Sequence, residues 1–263
     1  MDSTQQQSVA PQTRPFDRSS GDGVARCARY AIGPNKLHLC GPDVGTEVFA
    51  YLRSGESDAG LTNILSQFQT LYPYLQAIAA ANRIRDPFDP RVVEAYWIGN
   101  ELLEQIPPKR YYDHLVDVVA LKKKYPPARF QEVVDKIRQG ARMHHSFHVL
   151  NLYRRTGHEQ VDHTLETFAQ CLVSWGEIMA IDGPTFTVRS RPLVVEGHTL
   201  VLGESVEQQV RRRLWDDDLL ESANVGDTLS IHWGVPCEVL SAAQVTSLER
   251  YTRYHLALAN ETL

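Results

Sequence analysis

The sequence predicts an α+β fold: a helical N-terminal domain, then a small OB-like antiparallel β-barrel domain with a C-terminal helix. Three observations predict it. Apolar residues recur every three or four positions through residues 24–170, as in amphipathic helices. From Cys171 onward the apolar period changes to about two, as in half-buried strands. The last segment, residues 242–258, returns to a helical period behind Ser241, a favourable N-cap residue.

The change of period places a domain boundary before Cys171. The predicted domains are therefore a helical domain, residues 24–170, and a barrel domain, residues 171–263. Residues 1–23 are polar and lack the apolar segment of a secretory signal, so we expect a disordered tail there.

The composition indicates a globular protein and excludes several classes of function. The 263 residues include 43% hydrophobic and 22% charged residues, and the net charge is −5. A general nucleic-acid-binding protein needs a basic stripe, which the sequence lacks. No apolar run is long enough to span a membrane. The four cysteines have no regular spacing, which favours a cytoplasmic protein with free thiols over a disulfide framework.

Local signals in the helical domain predict where helices begin and end. Asp89 is a good N-cap residue and Pro90 a good first residue, so a helix should start there. Apolar residues between positions 61 and 78 follow a helical period, which Pro73 should kink or divide. Gly140 should end a helix over residues 127–139.

The barrel domain contains several short strand candidates. The segment after Cys171 alternates apolar and polar residues and stops at Asp182-Gly183, a typical tight hairpin turn. A second alternating segment runs from Val225-Gly226-Asp227 to His232. About five short antiparallel strands followed by a helix favour an OB-like barrel.

Several of these motifs together resemble the HypC/HupF-type hydrogenase maturation chaperones. They are Gly176, Ile181-Asp182-Gly183, Val225-Gly226-Asp227 and Ile231-His232-Trp233-Gly234, followed by a closing helix, in the same order as in that family. The resemblance covers roughly the last third of the chain. The full chain is also similar to an uncharacterised family in which a helical region precedes a HypC-like part.

The resemblance implies a function and a ligand set. In the chaperone family a cysteine and a histidine, at the positions of Cys171 and His232, are implicated in holding an iron that bears cyanide and carbon monoxide. The iron is passed to the large-subunit precursor of a nickel–iron hydrogenase. This implies a non-enzymatic iron carrier or docking chaperone whose partners are that precursor and other maturation proteins. Thiolate and imidazole are suitable ligands for low-spin iron, although Cys171 as a buried thiol remains an alternative.

The helical domain offers a second set of candidate ligands. Cys40 stands next to a Gly-Pro turn, and His144 and His148 would lie one helical turn apart if their segment is helical. The rival hypothesis is an enzyme that uses Cys40, His144 and His148, with the barrel as a scaffold or dimerisation module. These histidines could equally be core residues. Neither a glycine-rich nucleotide loop nor a Gly-x-Ser-x-Gly nucleophile motif occurs.

The location of the reactive side chains should discriminate between the two hypotheses. A pocket around Cys40 and His148, far from Cys171, would favour the enzyme. An exposed Cys171 beside His232 would favour the carrier. We expect the remaining thiols, Cys27 and Cys237, to be small buried apolar groups.

Overall fold

The computed structural model of the chain describes residues 21–152, 164–214, 217–218 and 222–263. It contains helices in the first part and antiparallel strands in the second, which confirms the α+β class. Residues 1–20 of the predicted tail lie outside the described residues. Asp22 caps the first helix, because its side chain accepts hydrogen bonds from the backbone of Val24 and Ala25.

Ten helices precede the sheet in the described part of the chain. Two π-helical turns, His114–Val118 and His148–Leu152, and one 3-10 turn, Glu101–Leu103, lie among them. The ten helices are α1 (Gly23–Lys36), α2 (Gly45–Ser54), α3 (Ala59–Ser66), α4 (Leu71–Ala81), α5 (Pro90–Trp97), α6 (Pro108–Asp113), α7 (Leu121–Lys124), α8 (Pro127–Arg138), α9 (His145–Phe147) and α10 (Leu165–Cys171).

The local signals that predicted helix ends are confirmed. Asp89 caps α5 by accepting a hydrogen bond from the backbone of Arg91. The helical period that contains Pro73 is divided into α3 and α4, and Pro73 lies in the first turn of α4, where a missing N–H costs nothing. Gly140 follows α8 with a φ of 108°, a left-handed conformation that glycine adopts without strain.

Five antiparallel strands form the main sheet, in the order β5-β2-β1-β8-β9. The β3–β4 and β6–β7 pairs form two separate two-stranded sheets. The strands are β1 (Ser174–Asp182), β2 (Thr185–Ser190), β3 (Leu193–Glu196), β4 (Thr199–Leu202), β5 (Val206–Arg211), β6 (Arg213–Leu214), β7 (Asp217–Asp218), β8 (Thr228–His232) and β9 (Val235–Leu240).

The main sheet is strongly curved without being joined edge to edge. Its two edge strands, β5 and β9, approach to within 8 Å between Cα atoms, but no hydrogen-bonded pairing connects them in the described residues. The predicted hairpin at Asp182-Gly183 connects β1 to β2. The closing helix α11 (Ala242–Asn260) starts behind Ser241, which exchanges capping hydrogen bonds with Gln244.

Helix α1 joins the helical part to the sheet. Its buried residues Cys27, Tyr30 and Ile32 belong to one apolar core that continues into Ile178 and Leu229 of the sheet. The core is therefore continuous across the predicted boundary at residue 171. In the described residues no helix is long and apolar enough to cross a membrane.

A buried ion pair strengthens the contact between α1 and the sheet. Arg26 of α1 bonds to Glu238 of β9 at 2.8 Å and to Glu94 of α5 at 2.8 Å. The hydroxyl of Tyr30 donates a 2.7 Å hydrogen bond to the same Glu238 carboxylate. These bonds fix the rotation of α1 about its axis, which matters for the site described next.

Candidate metal centre

Three metal-ligating side chains converge where α1, α9, α10 and β8 meet. One ligand atom each of His145, Cys171 and His232 lies within 4.8 Å of the other two. Ligand atoms of a tetrahedral centre are about 3.5 Å apart when bonds to the metal are about 2.0–2.3 Å long. A small inward movement of the side chains would therefore let all three bind one ion.

His232 is held in the tautomer that a metal ligand needs. It is the last residue of β8, and its Nδ1 donates a 2.7 Å hydrogen bond to the carbonyl oxygen of Tyr30. With the proton on Nδ1, the other nitrogen carries a lone pair. That nitrogen, Nε2, is buried and has no hydrogen-bond partner. Metal-binding histidines usually donate their other ring N–H to a backbone carbonyl or a carboxylate, which fixes the tautomer and the ring orientation.

A proline makes the Tyr30 carbonyl available. In an α-helix this carbonyl would accept a hydrogen bond from the N–H four residues on, which is the position of Pro34. Proline has no N–H, so this bond cannot form. The adjacent Gly33 lets α1 approach closely, because a Cβ there would stand 2.7 Å from the carbonyl oxygen of His232. The sequence Gly33-Pro34 thus prepares α1 to hold His232.

His145 is oriented by Cys171 and by aromatic rings. Its Nε2 lies 2.9 Å from the carbonyl oxygen of Cys171, so Nε2 carries the proton, and Nδ1 lies 3.3 Å from the hydroxyl of Tyr96. The ring centroid of Trp97 lies 4.4 Å from that of His145 and 5.2 Å from that of His232. A metal ion on Nδ1 would displace the Tyr96 hydroxyl.

Burial keeps both histidines neutral near pH 7. Desolvation lowers the pKa of His232 to about 4. It also holds the pKa of His145 well below the usual value of 6.5, and the positive charge of a protonated His232 lowers it further. Neutral imidazole is the form that binds metal, so protons compete little for these two ligands.

The three side chains line a small and mostly apolar pocket of about 40 Å³. One water molecule needs roughly 10–15 Å³ of cavity volume, so the pocket has room for only a few water-sized molecules. Two further side chains predicted from the sequence, Cys40 and His148, line the same pocket. Four of the five predicted ligands thus meet in one pocket, and the two sites that the carrier and enzyme hypotheses place apart are one site.

The fifth predicted ligand, His144, lies in a different cluster. It caps α9 by accepting the N–H of Ser146, and its Nδ1 also lies 2.8 Å from the hydroxyl of Ser146. That hydroxyl lies 2.7 Å from Nδ1 of His255, whose Nε2 accepts the N–H of Arg142. The structure does not bring His144 and His148 together, because His144 is the N-cap of α9 and its backbone is extended (φ −112°, ψ 148°) instead of helical.

His145 is the ligand that the sequence reasoning missed. The segment His144-His145-Ser146-Phe147-His148 was interpreted as one helix, which favoured the pair one turn apart. His144 precedes α9 with an extended backbone, so its ring packs against Tyr251 and His255 of α11, while His145 and His148 line the pocket. Three histidines within five residues were the available signal.

The other two thiols do not line the pocket. Cys27 and Cys237 are fully buried, which confirms the expectation for both. Burial raises the pKa of Cys27 to about 12 and that of Cys237 further, so neither forms a thiolate near pH 7.

A family model described as "Family of unknown function (DUF6390)" matches residues 19–263. The chain belongs to the DUF6390 family. No curated protein and no solved structure matches the chain. The match covers both the helical part and the sheet of this DUF6390 protein, so every residue that lines the pocket lies within the matched region.

Proposed function

We propose that the protein binds one transition-metal ion at His145, Cys171 and His232 and acts as a metal-carrying accessory protein. The observation that carries the proposal is the convergence of these three ligand atoms within 4.8 Å in a buried pocket. The neutral histidines and the Tyr30 carbonyl behind His232 support it, because both prepare the side chains for a cation.

The donor set favours a metal of borderline or soft character. One thiolate and two imidazoles suit iron, copper and zinc and are poor ligands for magnesium or calcium. We propose iron as the physiological metal, with cyanide and carbon monoxide as its small ligands. This choice depends on the resemblance of the last third of the chain to the hydrogenase chaperones.

The proposed biological role follows from the same resemblance. The protein would deliver iron to the large-subunit precursor of a nickel–iron hydrogenase, in the cytoplasm, together with other maturation proteins. In this role the curved sheet acts as an OB-like barrel. His145 is an addition to the pair Cys171 and His232 that the resemblance implies.

The decisive experiment combines metal analysis with infrared spectroscopy on anaerobically purified protein. We expect about one iron per chain, with cyanide and carbonyl stretching bands, and loss of both in Cys171→Ala and His232→Ala. His38→Ala, an exposed histidine outside the pocket, is the matched control and should keep the metal. Full metal retention by Cys171→Ala would contradict the ligand assignment, whereas a metal other than iron would contradict only the hydrogenase role.

A metalloenzyme is the second candidate. Three protein ligands at a pocket are the arrangement of a catalytic metal with one open position. Cys40 and His148 would then contact the substrate or transfer protons. The small volume of the pocket restricts this alternative to a substrate, or a reacting group, of a few atoms. Turnover by a metal-loaded protein that retains its iron would favour the enzyme over the carrier.

A further inference from the structure

A second cavity, of about 190 Å³, is lined by the main sheet, the β3–β4 hairpin and the end of α10. It has several times the volume of the metal pocket, which is about 40 Å³. Since one water molecule needs roughly 10–15 Å³ of cavity volume, the second cavity has room for a ligand of roughly ten non-hydrogen atoms.

This cavity and the metal pocket share a wall. Gln170 and Leu172 line the cavity, whereas Cys171, which stands between them in the chain, lines the metal pocket. In the same way Ile231 lines the cavity and the next residue, His232, lines the metal pocket. The wall therefore consists of the two chain segments that carry Cys171 and His232.

Arg191 is the one charged residue among the described residues that line the cavity. Its Nε donates a 2.8 Å hydrogen bond to the carbonyl oxygen of Gly203, and its Nη2 donates a 3.2 Å bond to that of Leu202. These bonds orient the guanidinium group and use two of its five N–H groups. The other three N–H groups have no acceptor, and no carboxylate pairs with Arg191, in the part of the chain that the structure describes. Arg191 is exposed, so a ligand can reach it from solvent.

The rest of the described lining is apolar or neutral, which restricts the ligand to one negative charge. Leu193, Leu202 and Val210 supply buried apolar surface, and Trp175 is half-buried beside them. The polar side chains besides Arg191 are serines and glutamines, which are uncharged. One guanidinium balances one carboxylate and can bind it through two parallel hydrogen bonds. A phosphate group carries nearly two negative charges near pH 7 and would keep one of them without a counter-charge.

We propose that this cavity binds a small monocarboxylate with an apolar body, which Arg191 holds through a pair of charge-assisted hydrogen bonds. The carboxylate contacts the guanidinium group at the base of the β3–β4 hairpin, and the apolar body packs against Leu193, Leu202 and Val210. The inference goes beyond the proposed function, because the cavity and Arg191 do not need a bound metal. It assigns a second ligand to the protein, on the other side of the wall that carries Cys171 and His232.

The test titrates the metal-free, full-length protein with phenylacetate and hexanoate in a calorimeter. At least one of these probes should bind at a single site with a dissociation constant of about 1 mM or lower, as expected for ligands of this size. The uncharged amides of the two acids have the same shape and should bind more weakly by about tenfold or more. The indole N–H signal of Trp175 in an NMR spectrum should shift during the titration, which locates the site.

Two arginine variants test the role of the guanidinium group. Arg191→Gln should weaken binding of the carboxylate by about tenfold or more, because it removes the charge and the paired N–H groups. Arg189→Gln is the matched control: Arg189 pairs with Glu207 on the surface and does not line the cavity, so this variant should bind as the wild type does. Thermal unfolding checks that both variants fold.

The comparison of acid with amide in the wild type decides the question even if Arg191→Gln does not fold. Equal affinity for the acid and its amide, or unchanged affinity in a folded Arg191→Gln, overturns the assignment of a carboxylate site. Absence of binding by both probes overturns the site altogether. None of these results bears on the metal centre, which is tested by its own variants.

Discussion

The carbonyl oxygen of Tyr30 accepts a 2.7 Å hydrogen bond from Nδ1 of His232, across 202 positions of the sequence. The bond exists because Pro34 cannot donate to that carbonyl within α1. A helix irregularity, which by itself lowers helix stability, is thus used to orient a metal ligand on the neighbouring strand. The first prediction tests this relationship directly.

Pro34→Ala should weaken metal binding without weakening the fold. The new N–H would compete with His232 for the Tyr30 carbonyl, so the imidazole would lose its fixed tautomer and orientation. Loss of the hydrogen bond that orients a metal-binding histidine typically costs about 10–100-fold in metal affinity. A metal titration measures this change. Urea unfolding of the metal-free variant should show equal or greater stability, since proline inside a helix costs up to about 3 kcal/mol.

Pro108→Ala is the control for that prediction. Pro108 is the first residue of α6, where the backbone N–H has no helical partner in any case. This variant should change neither metal affinity nor stability by much. Unchanged metal affinity in Pro34→Ala would show that the Tyr30 carbonyl is not needed to prepare His232.

Glu238→Gln should destabilise the protein by about 3 kcal/mol, because it leaves the buried Arg26 with only part of its counter-charge. Glu238 accepts hydrogen bonds from Arg26 at 2.8 and 3.0 Å and from Tyr30. Urea unfolding measures the loss. Glu207→Gln is a suitable control, since its pair with Arg189 is on the surface and should contribute at most about 1 kcal/mol. Similar losses in both variants would contradict the importance of the buried pair.

Ser146→Ala should lower stability by about 1–3 kcal/mol, since it leaves Nδ1 of His255 buried without its partner and removes a hydrogen bond of His144. Because Ser146 follows His145 directly, we also expect weaker metal binding. Denaturant unfolding and a metal titration give the two values. Ser54→Ala, an exposed serine in α2, should leave both unchanged. Wild-type values for Ser146→Ala would show that the cluster has no supporting role.

Acid should destabilise the protein through its buried neutral histidines, and His114 gives a specific test. Burial, with a smaller effect of a charged His148, lowers the pKa of His114 to about 4 from an ordinary value of 6.5. In the unfolded chain His114 binds a proton below pH 6.5, whereas in the folded protein it stays neutral down to about pH 4. Stability is therefore complete above pH 6.5 and falls between these values, by up to about 3 kcal/mol for this residue.

The variant His114→Phe isolates that contribution. Its ring can occupy the same buried position, and the Nε2 that it removes has no hydrogen-bond partner. Urea unfolding at several pH values between 7.5 and 4.5 should give a shallower decline for the variant than for the wild type. Parallel curves would show that His114 does not contribute to the acid sensitivity.

Sequence patterns predicted the structure correctly where it depends on residues that are close together in the chain. The caps of α5 and α11, the division of a long helical period near Pro73 and the hairpin at Asp182-Gly183 are local signals, and all four are confirmed. The coarse α+β class followed from the change of apolar period. Closure of the strands into an OB-like barrel depends on how two distant edges meet and stays a prediction.

Only part of the site could be predicted from the sequence, for a physical reason. Cys40, His148, Cys171 and His232 were identified one at a time, by residue type and by resemblance, but their meeting in one pocket depends on the packing of α1 against the sheet. His145 was missed because the pair His144 and His148 was chosen for its i, i+4 spacing, although His145 and His148 would share a face of a regular helix as well. His144 is instead the N-cap of a three-residue helix, and its extended backbone turns its side chain away from His148, which no local pattern reveals.

The three ligands lie on different parts of the fold, which has a mechanical consequence. His145 belongs to the helical part, His232 to the sheet, and Cys171 to the junction between them. An ion bound to all three would act as a reversible cross-link that closes a long loop of the chain. Removal of the ion would then loosen the connection between the helical part and the sheet, so the empty and the loaded protein would differ in rigidity there.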